Sequence, residues 1–414
     1  MNFTTDIVIG LEIHVELNTK TKLFCGCSRS GSEIPNTRVC PICLGHPGTR
    51  PVLNKKAVDS ALKIARALGC TMAGSLIFSR KGYFYPDMSK NFQITQFEDP
   101  LGSRGSVKLK SGRIIPLQRV HLEEDPAALT YPQGMAASPF VYIDYNRAGN
   151  PLVEIVTEPA LTTPAEARDF LNQLLTILTY LNVFDINHCI IKADANISLK
   201  ESNYTRVEIK NISGFKELES ALMYEITRQR ALLRRNLLIK RETRGWNDVS
   251  KATISLRSKE QEAEYGYIIE PDLVPLDVTK EMIKIIQQEI PEFAHQKVER
   301  YKQTFHLDEQ DAEIMAMELE LAELFEKVAQ EINPVLAAQW LRRELLRVLN
   351  YNKKTIREIS FSEKELIELL ALVETKTISE TTGQKLMEKL MVERFSPKDY
   401  VEKENLKQIT SDQL

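Results

Sequence analysis

No G-x-x-x-x-G-K-[ST] loop, no G-x-G-x-x-G turn and no protein-kinase catalytic loop occurs in the 414 residues. A bound nucleotide would therefore have to lie on an open surface instead of a helix-capped loop. Long apolar runs are also missing, so no segment reads as a bilayer span. The amino-terminal stretch carries Asp6 and Glu12 and has no basic-then-apolar leader. Neither sign of charge dominates: 54 Lys and Arg stand against 57 Asp and Glu. That balance excludes a uniformly basic nucleic-acid binder while leaving room for local basic faces. These absences predict a soluble, cytoplasmic protein of two or three domains.

Cysteine is scarce but clustered. Four of the six, Cys25, Cys27, Cys40 and Cys43, spell C-x-C and C-x-x-C on either side of a short loop. Two close thiol pairs joined by a loop suit tetrahedral zinc, and four thiolates close the metal's shell. Such a metal would staple the 25–43 loop and leave no open position for catalysis. The alternative is free or redox thiols, since disulfides do not suit a reducing compartment. Cys70 and Cys189 have apolar neighbours and read as small core residues.

The densest chemical signal is GLEIHVEL, Gly10 to Leu17. In a strand, Glu12, His14 and Glu16 share one face and Ile13, Val15 and Leu17 the other. Like charges on one face repel, and a divalent cation bound by oxygens and a neutral imidazole would remove that cost. The plain alternative is a solvated strand face, and recurrence decides between them. In RVHLEED, His121 and Glu123 alternate with Val120 and Leu122 before Glu124 and Asp125. In VYIDYNRAGNPLVEIVTEP, two strands around an Ala-Gly-Asn turn predict a hairpin. It would put Asp144 and Asn146 on one strand, Glu154 and Glu158 on the other, and Arg147 beside the turn. IKADANISLK places Asp194 and Asn196 together, and TRVEIKN alternates Arg206, Glu208 and Lys210 with aliphatics. Acids that hold metal ions beside cations that hold phosphate are what phosphoryl transfer needs. A polar face simply left wet, or covered by a partner, is the other reading.

Helical spacing predicts a helix over Asn54–Gly69, and Thr163, Pro164 and Glu166 should open another. Beyond Val278 the chain reads as helices: Glu309–Gln330, Val335–Leu349, Glu363–Glu374 with a Ser362/Glu365 capping box, and Gly383–Val392. Trp340, Leu341, Leu345 and Leu349 form a core stripe. Arg342, Arg343 and Arg347 face away from it, either solvated or against RNA backbone.

GLEIHVEL, CGC with CPICLGHPG, YFYPDMSKNFQITQ, HLEED, YIDYNRAGNPLVEIVTEP, DANIS, VEIKNISGF, ETRGW and EPDLVP, in this order, closely resemble the B subunits of tRNA-dependent amidotransferases. They also resemble the related E subunits, without the large domain inserted there. The resemblance implies an α+β fold: a glutamine-synthetase-like antiparallel-sheet cradle, then an all-α helical domain. The expected boundaries are a catalytic cradle over 1–290 holding the zinc loop, a helical domain over 291–405, and at 406–414 the start of a linker to an absent tail domain.

It further implies a ligase that uses ATP to phosphorylate the side-chain carboxylate of mischarged Glu-tRNA(Gln) or Asp-tRNA(Asn) and then amidates it. The ammonia would come from a separate amidase (glutaminase), the A subunit of a heterotrimer braced by a small C subunit. No serine-lysine amidase signature stands in this chain. On this reading Glu12, His14, Glu123, Glu124, Arg147, Asp194, Glu208 and Lys210 are catalytic. Glu12, His14, Glu124 and Glu208 hold Mg²⁺, while Asp144, Asn146, Asn196 and Arg206 bind the cofactor ATP. Where many members have a Gly-Lys pair after HLEED, Ala127 and Ala128 stand here, which removes one expected cation. A non-catalytic, zinc-stapled tRNA-binding scaffold is the alternative.

Overall fold

Alternation in GLEIHVEL does what period two requires. Strand β1 (Ile7–Glu16) buries Ile9, Leu11, Ile13 and Val15 almost completely and turns Glu12 and His14 to the opposite face. In the computed structural model, which describes residues 6–134, 138–256 and 265–408, that strand lies inside a ten-stranded sheet. Helix α1 (Lys55–Ala67) is capped by Asn54 and matches the predicted one closely. It is followed by β2 (Ser79–Gly82) and β3 (Phe92–Thr95), which pair with each other outside the main sheet.

Next come β4 (Ile114–Glu124), β5 (Ala128–Thr130), β6 (Tyr142–Asp144), β7 (Pro151–Thr157), helix α2 (Pro164–Tyr180), β8 (Ile191–Leu199) and β9 (Val207–Lys210). Helix α3 (Phe215–Arg234), β10 (Glu242–Asn247) and β11 (Ala252–Ser255) follow. Thr163 caps α2 with Pro164 at its first turn, as the sequence predicts. Through the middle of the sheet the order is β11-β10-β9-β8-β1-β7-β4.

One face of these strands is aliphatic. Val120, Leu122, Val153, Ile155, Ala195, Ile197, Val207 and Ile209 are all fully buried. Leu218, Ala221 and Leu222 of α3 are buried on this side, where α3 packs on β8 and β11, and α2 packs on α3. Each such side chain contributes roughly 1.5–3 kcal/mol by leaving water. Truncating Ile13 to Ala at the centre should cost about 2–5 kcal/mol. The apolar face therefore fixes the register that gathers polar groups on the other face.

Three expectations need correction. The sheet is mixed, because β9 and β10 run parallel; α3 supplies the crossover that a parallel pair requires. Residues 141–159 do not form a hairpin. β6 pairs with β5, while β7 pairs with β4 and β1. The intervening stretch is a bonded turn, with Ala148 N–H donating to Tyr145 O and Asn150 N–H to Arg147 O, so turn residues mark a bend without fixing which strands pair. The predicted helix over 309–330 is two, α5 and α6 below, separated by Glu318 in an extended conformation.

Two compact units divide at Pro291/Glu292. In the first, helix α4 (Lys280–Gln288) packs on α1, where Lys63 pairs with Glu289. The second is helical and includes α5 (Glu309–Met317), α6 (Leu319–Val328), α7 (Pro334–Trp340), α8 (Leu346–Asn352), α9 (Glu363–Glu374) and α10 (Glu380–Leu390). A π turn over Leu341–Leu345 joins α7 to α8. The expected stripe of Trp340, Leu341, Leu345 and Leu349 lies in the core, and the Ser362/Glu365 capping box is formed. Among the described residues no helix is long and apolar enough to cross a membrane. Of the expected linker at 406–414, residues 409–414 lie outside the described ones.

Candidate functional site

Strand register assembles the polar face in rows. His121, Glu154, His14 and Lys192 stand opposite one another across β4, β7, β1 and β8. In the next row are Arg119, Val156, Glu12 and Asp194. Asp194 accepts a 2.6 Å hydrogen bond from Lys210 Nζ on β9. Glu208 stands opposite Asn196 and accepts from Thr243 Oγ1 at 2.9 Å. Of the residues expected to act together, Glu12, His14, Glu123, Asp194, Asn196, Glu208 and Lys210 thus belong to one face of one sheet.

Glu154 is at the centre of this face. Its Oε2 lies 3.5 Å from His14 Nε2 and 3.4 Å from His121 Nε2. Glu123 lies 3.7 Å from His14 and 3.5 Å from His121 and accepts from Thr95 Oγ1 at 3.0 Å. Burial alone would neutralise both histidines, but the hydrogen bond and charge of Glu154, with Glu123, hold each pKa up at about 9. The same burial works against charge on Glu154 and Glu123, yet the two histidines hold both below the usual carboxylate range. Glu12 is pushed upward, first by burial and then by Glu154.

Donor chemistry fits a hard divalent cation. Ligand atoms of Glu12, His14 and Glu154 lie within 4.8 Å of one another, and so do those of His121, Glu123 and Glu154. Carboxylate oxygens with one imidazole nitrogen suit Mg²⁺ or Mn²⁺. Glu154 Oε1 makes no hydrogen bond and has only the Arg119 guanidinium at 3.6 Å, and Asn196 Oδ1, buried, makes none either. Buried acceptors left without a hydrogen bond are costly.

Other expected residues are held elsewhere. Glu124 points away from Glu123, where Lys90 Nζ lies 2.7 Å from its Oε2 and Ile94 N–H donates to it at 2.8 Å. Asp144 accepts from the amide of Asn36, and Asn146 accepts from the amide of Arg38 and donates to Ile34 O. Both residues thereby clamp the cysteine loop. Arg147 pairs with Asp125 at 3.4 Å and donates to the carbonyls of Pro126 and Ala127. Arg206 is exposed just before β9.

The face also contains His121 and Glu154, and Lys81 of β2 lies within electrostatic reach of Glu123 and Glu154; sequence reasoning does not assign these three to the site. Alternation makes His121 and Glu154 legible as polar strand residues, but only strand pairing brings them beside His14. Lys81 is hidden in an aromatic-rich stretch. Burial works against its charge, and Glu123 with Tyr267 outweighs it to raise its pKa.

At the cysteine loop, Sγ atoms of Cys25, Cys27, Cys40 and Cys43 lie within 4.8 Å of one another. Cys40 N–H donates to Cys43 Sγ at 3.1 Å. Bonding from Cys25 first, opposed by burial and aided by the Cys40 amide, lowers the Cys43 thiol to about 5. Four converging sulfurs fit tetrahedral thiolate ligation of zinc.

In the helical unit the expected basic face is partly neutralised. Arg342 pairs with buried Asp311 at 2.8 Å, and Arg347 with Glu344 and Glu388. Arg343 is exposed.

The sequence matches the GatB/GatE catalytic domain over residues 7–284 and the GatB domain over residues 323–414. It is 40% identical to the aspartyl/glutamyl-tRNA(Asn/Gln) amidotransferase B subunit of Haloquadratum walsbyi, covering 98% of this chain and 86% of that one. The B subunit of the same name from Carboxydothermus hydrogenoformans is 39% identical, with coverage of 98% and 86%. That of Methanospirillum hungatei is 44% identical, with coverage of 92% and 80%. Joined to the site's geometry, these matches show that the chain belongs to the GatB/GatE family of tRNA-dependent amidotransferase subunits.

Proposed function

We propose that this chain is the ATP-dependent kinase and transamidase of its complex, built on a glutamine-synthetase-like cradle and working in the cytoplasm. The side-chain carboxylate of Glu-tRNA(Gln) or Asp-tRNA(Asn) attacks the γ-phosphorus of ATP, and ADP leaves. Ammonia then attacks the acyl carbon, and the bond from that carbon to the phosphate oxygen breaks, its electron pair leaving with phosphate. One observation carries this reading: strand register brings Glu12, His14 and Glu154 within one ligand-sized gap on a sheet face dense in acids.

Glu12, His14 and Glu154 would hold Mg²⁺, with His121 and Glu123 as a second set. The ion would supply positive charge to offset that of the nucleotide's phosphates. Lys210, anchored by Asp194, presents its ammonium beside Glu12 and Glu208; it would meet the transferring phosphoryl group. Lys81, within electrostatic reach of Glu123 and Glu154, would serve the same charge. Asn196 and Glu208 continue the face toward β9 and would line it for nucleotide. Glu124 and Arg147 act through position, the first on Lys90 and the second on the turn after β4. Zinc, held by Cys25, Cys27, Cys40 and Cys43, would serve structure, and Asp144 and Asn146 support that loop.

Ammonia would be delivered by an amidase partner, with a small third protein joining the pair. The helical unit, with Arg343 exposed, would contact tRNA backbone. The deciding experiment measures ATP hydrolysis that depends on mischarged tRNA with the amidase partner present. Turnover that stops when Glu154 is changed to Gln supports the reading. Absence of any ATP hydrolysis dependent on mischarged tRNA, with tRNA still bound, would instead favour a non-catalytic tRNA-binding scaffold.

A further inference from the structure

Lys22 is fully buried, at 0% exposure. A lysine so placed ordinarily has a carboxylate beside it, because an ammonium is strongly destabilised away from water unless an anion compensates. Its ammonium instead lies 3.7 Å from Cys43 Sγ and 3.2 Å from Tyr145 O. A carbonyl satisfies one N–H but brings no charge. The methylene stem runs along the turn before β7, where a Cβ on Gly149 would come within 3.6 Å of Lys22 Cδ and 3.7 Å of Cys43 Cβ. Lys22 N–H donates to Cys27 O and Leu23 N–H to Gly149 O, so the backbone on both sides of Lys22 is held as well. The whole residue is shielded from water.

A neutral thiol at Cys43 would leave this ammonium without an anion. Four thiolates around a divalent metal have the opposite difficulty, since they carry more negative charge than the ion neutralises. The two deficits cancel at one contact. We propose that Lys22 is the built-in counter-charge of the metal–thiolate centre and a positioning residue for the turn that carries Arg147. It lowers the net charge of the centre and so determines how firmly metal is held. The inference rests on the zinc reading above, but it concerns a residue outside the ligand set. Lys22 also ties the centre to that turn: Tyr145 O, bonded to Lys22, opens the segment in which Arg147 grips Pro126 O and Ala127 O.

The test is Lys22→Met in the full chain, which keeps the stem's bulk and removes the charge. Zinc content is read by mass spectrometry, and affinity by competition with a chromophoric chelator. Loss of an outer partner of a metal ligand typically weakens binding roughly 10–100-fold, and that range is expected here, with Lys22→Arg recovering part of it. Equal zinc affinity in Lys22→Met and wild type would overturn the proposal while leaving the zinc site intact. Wild type that holds no zinc would sink the metal reading itself.

If Lys22→Met does not fold, wild type answers by amine labelling. Lys22 should be protected with zinc bound and labelled after chelation. Equal protection in both states would mean that its burial does not depend on the metal, and the proposal would fall.

Discussion

Glu154 Oε2 and His14 Nε2 lie 3.5 Å apart across the β1–β7 pair. Neither residue is near the other in sequence, and each is fixed by aliphatic neighbours on the buried side of its own strand. The buried neighbours Ile13 and Val153 hold the two strands, and so the backbone from which each side chain projects, in fixed register. The pair is therefore preorganised, which is the condition under which fixed charges stabilise a transition state.

That pairing predicts how magnesium and protons compete. Burial disfavours charge on His14 and His121, but Glu154 and Glu123 hold both pKa values at about 9. A raised histidine pKa contributes stability that is complete below the unfolded value of about 6.5 and is lost as pH rises through about 9. Metal-free protein should thus lose this contribution between roughly pH 6.5 and 9. Ligation needs neutral imidazole, so Mg²⁺ must displace a proton from His14 at neutral pH. Calorimetry in buffers of different ionisation enthalpy should record proton release on Mg²⁺ binding and affinity that rises with pH. Binding with no proton released would remove His14 from the ligand set.

Zinc should be structural. Purified full chain should carry about one zinc, and Cys40→Ser should lose it. Gly45 offers an independent probe, because its φ of +70° and a Cβ position 2.6 Å from Lys90 Cγ leave no room for a side chain. Gly45→Ala should keep zinc but displace Lys90 from Glu124, lowering thermal stability by the equivalent of about 1–3 kcal/mol. Unchanged melting temperature in Gly45→Ala would show that the loop yields there.

Alternation exposes the acids because β1 has one wet and one dry face, and period two records that directly. Membership of a face is local, whereas adjacency within it is not. Glu154 lies far along the chain from β1, and only the β1–β7 register sets it beside His14. Asp144 and Asn146 read as ligands because acids and amides do. Their occupation by the amides of Asn36 and Arg38 depends on where the cysteine loop lies, which no local pattern encodes. The hairpin fails for a related reason. Gly149 has a positive φ and makes a turn, but β7 finds better apolar partners in β4 and β1 than β6 offers.

The two half-reactions should separate. Without an amidase partner this chain should not use glutamine, yet it should amidate mischarged tRNA when ammonium is supplied at high concentration. On the proposed reading the kinase step would need only the sheet face, and the partner would supply the nucleophile. Glutamine hydrolysis by the purified chain, free of contaminating amidase, would contradict the assignment.

Neighbouring acids should differ sharply in consequence. Glu12→Gln and Glu154→Gln keep size while removing a ligand charge, and each should slow acyl-phosphate formation by two or more orders of magnitude, on the order of 3 kcal/mol of transition-state stabilisation. Affinity for tRNA should stay nearly unchanged, because these side chains face the sheet's polar centre. Glu16 shares the strand but is committed to Arg29, Asn150 and the amide of Ile190. Glu16→Gln should therefore lower stability more than rate. Asp144→Asn should loosen zinc, since its carboxylate clamps Asn36, and should leave the ATP dependence alone. Single-turnover measurement of acyl phosphate, paired with zinc content and melting temperature, resolves all four. A wild-type rate in Glu154→Gln with unaltered Mg²⁺ dependence would remove the residue that both ligand sets share, and with it the placement of the metal on this face.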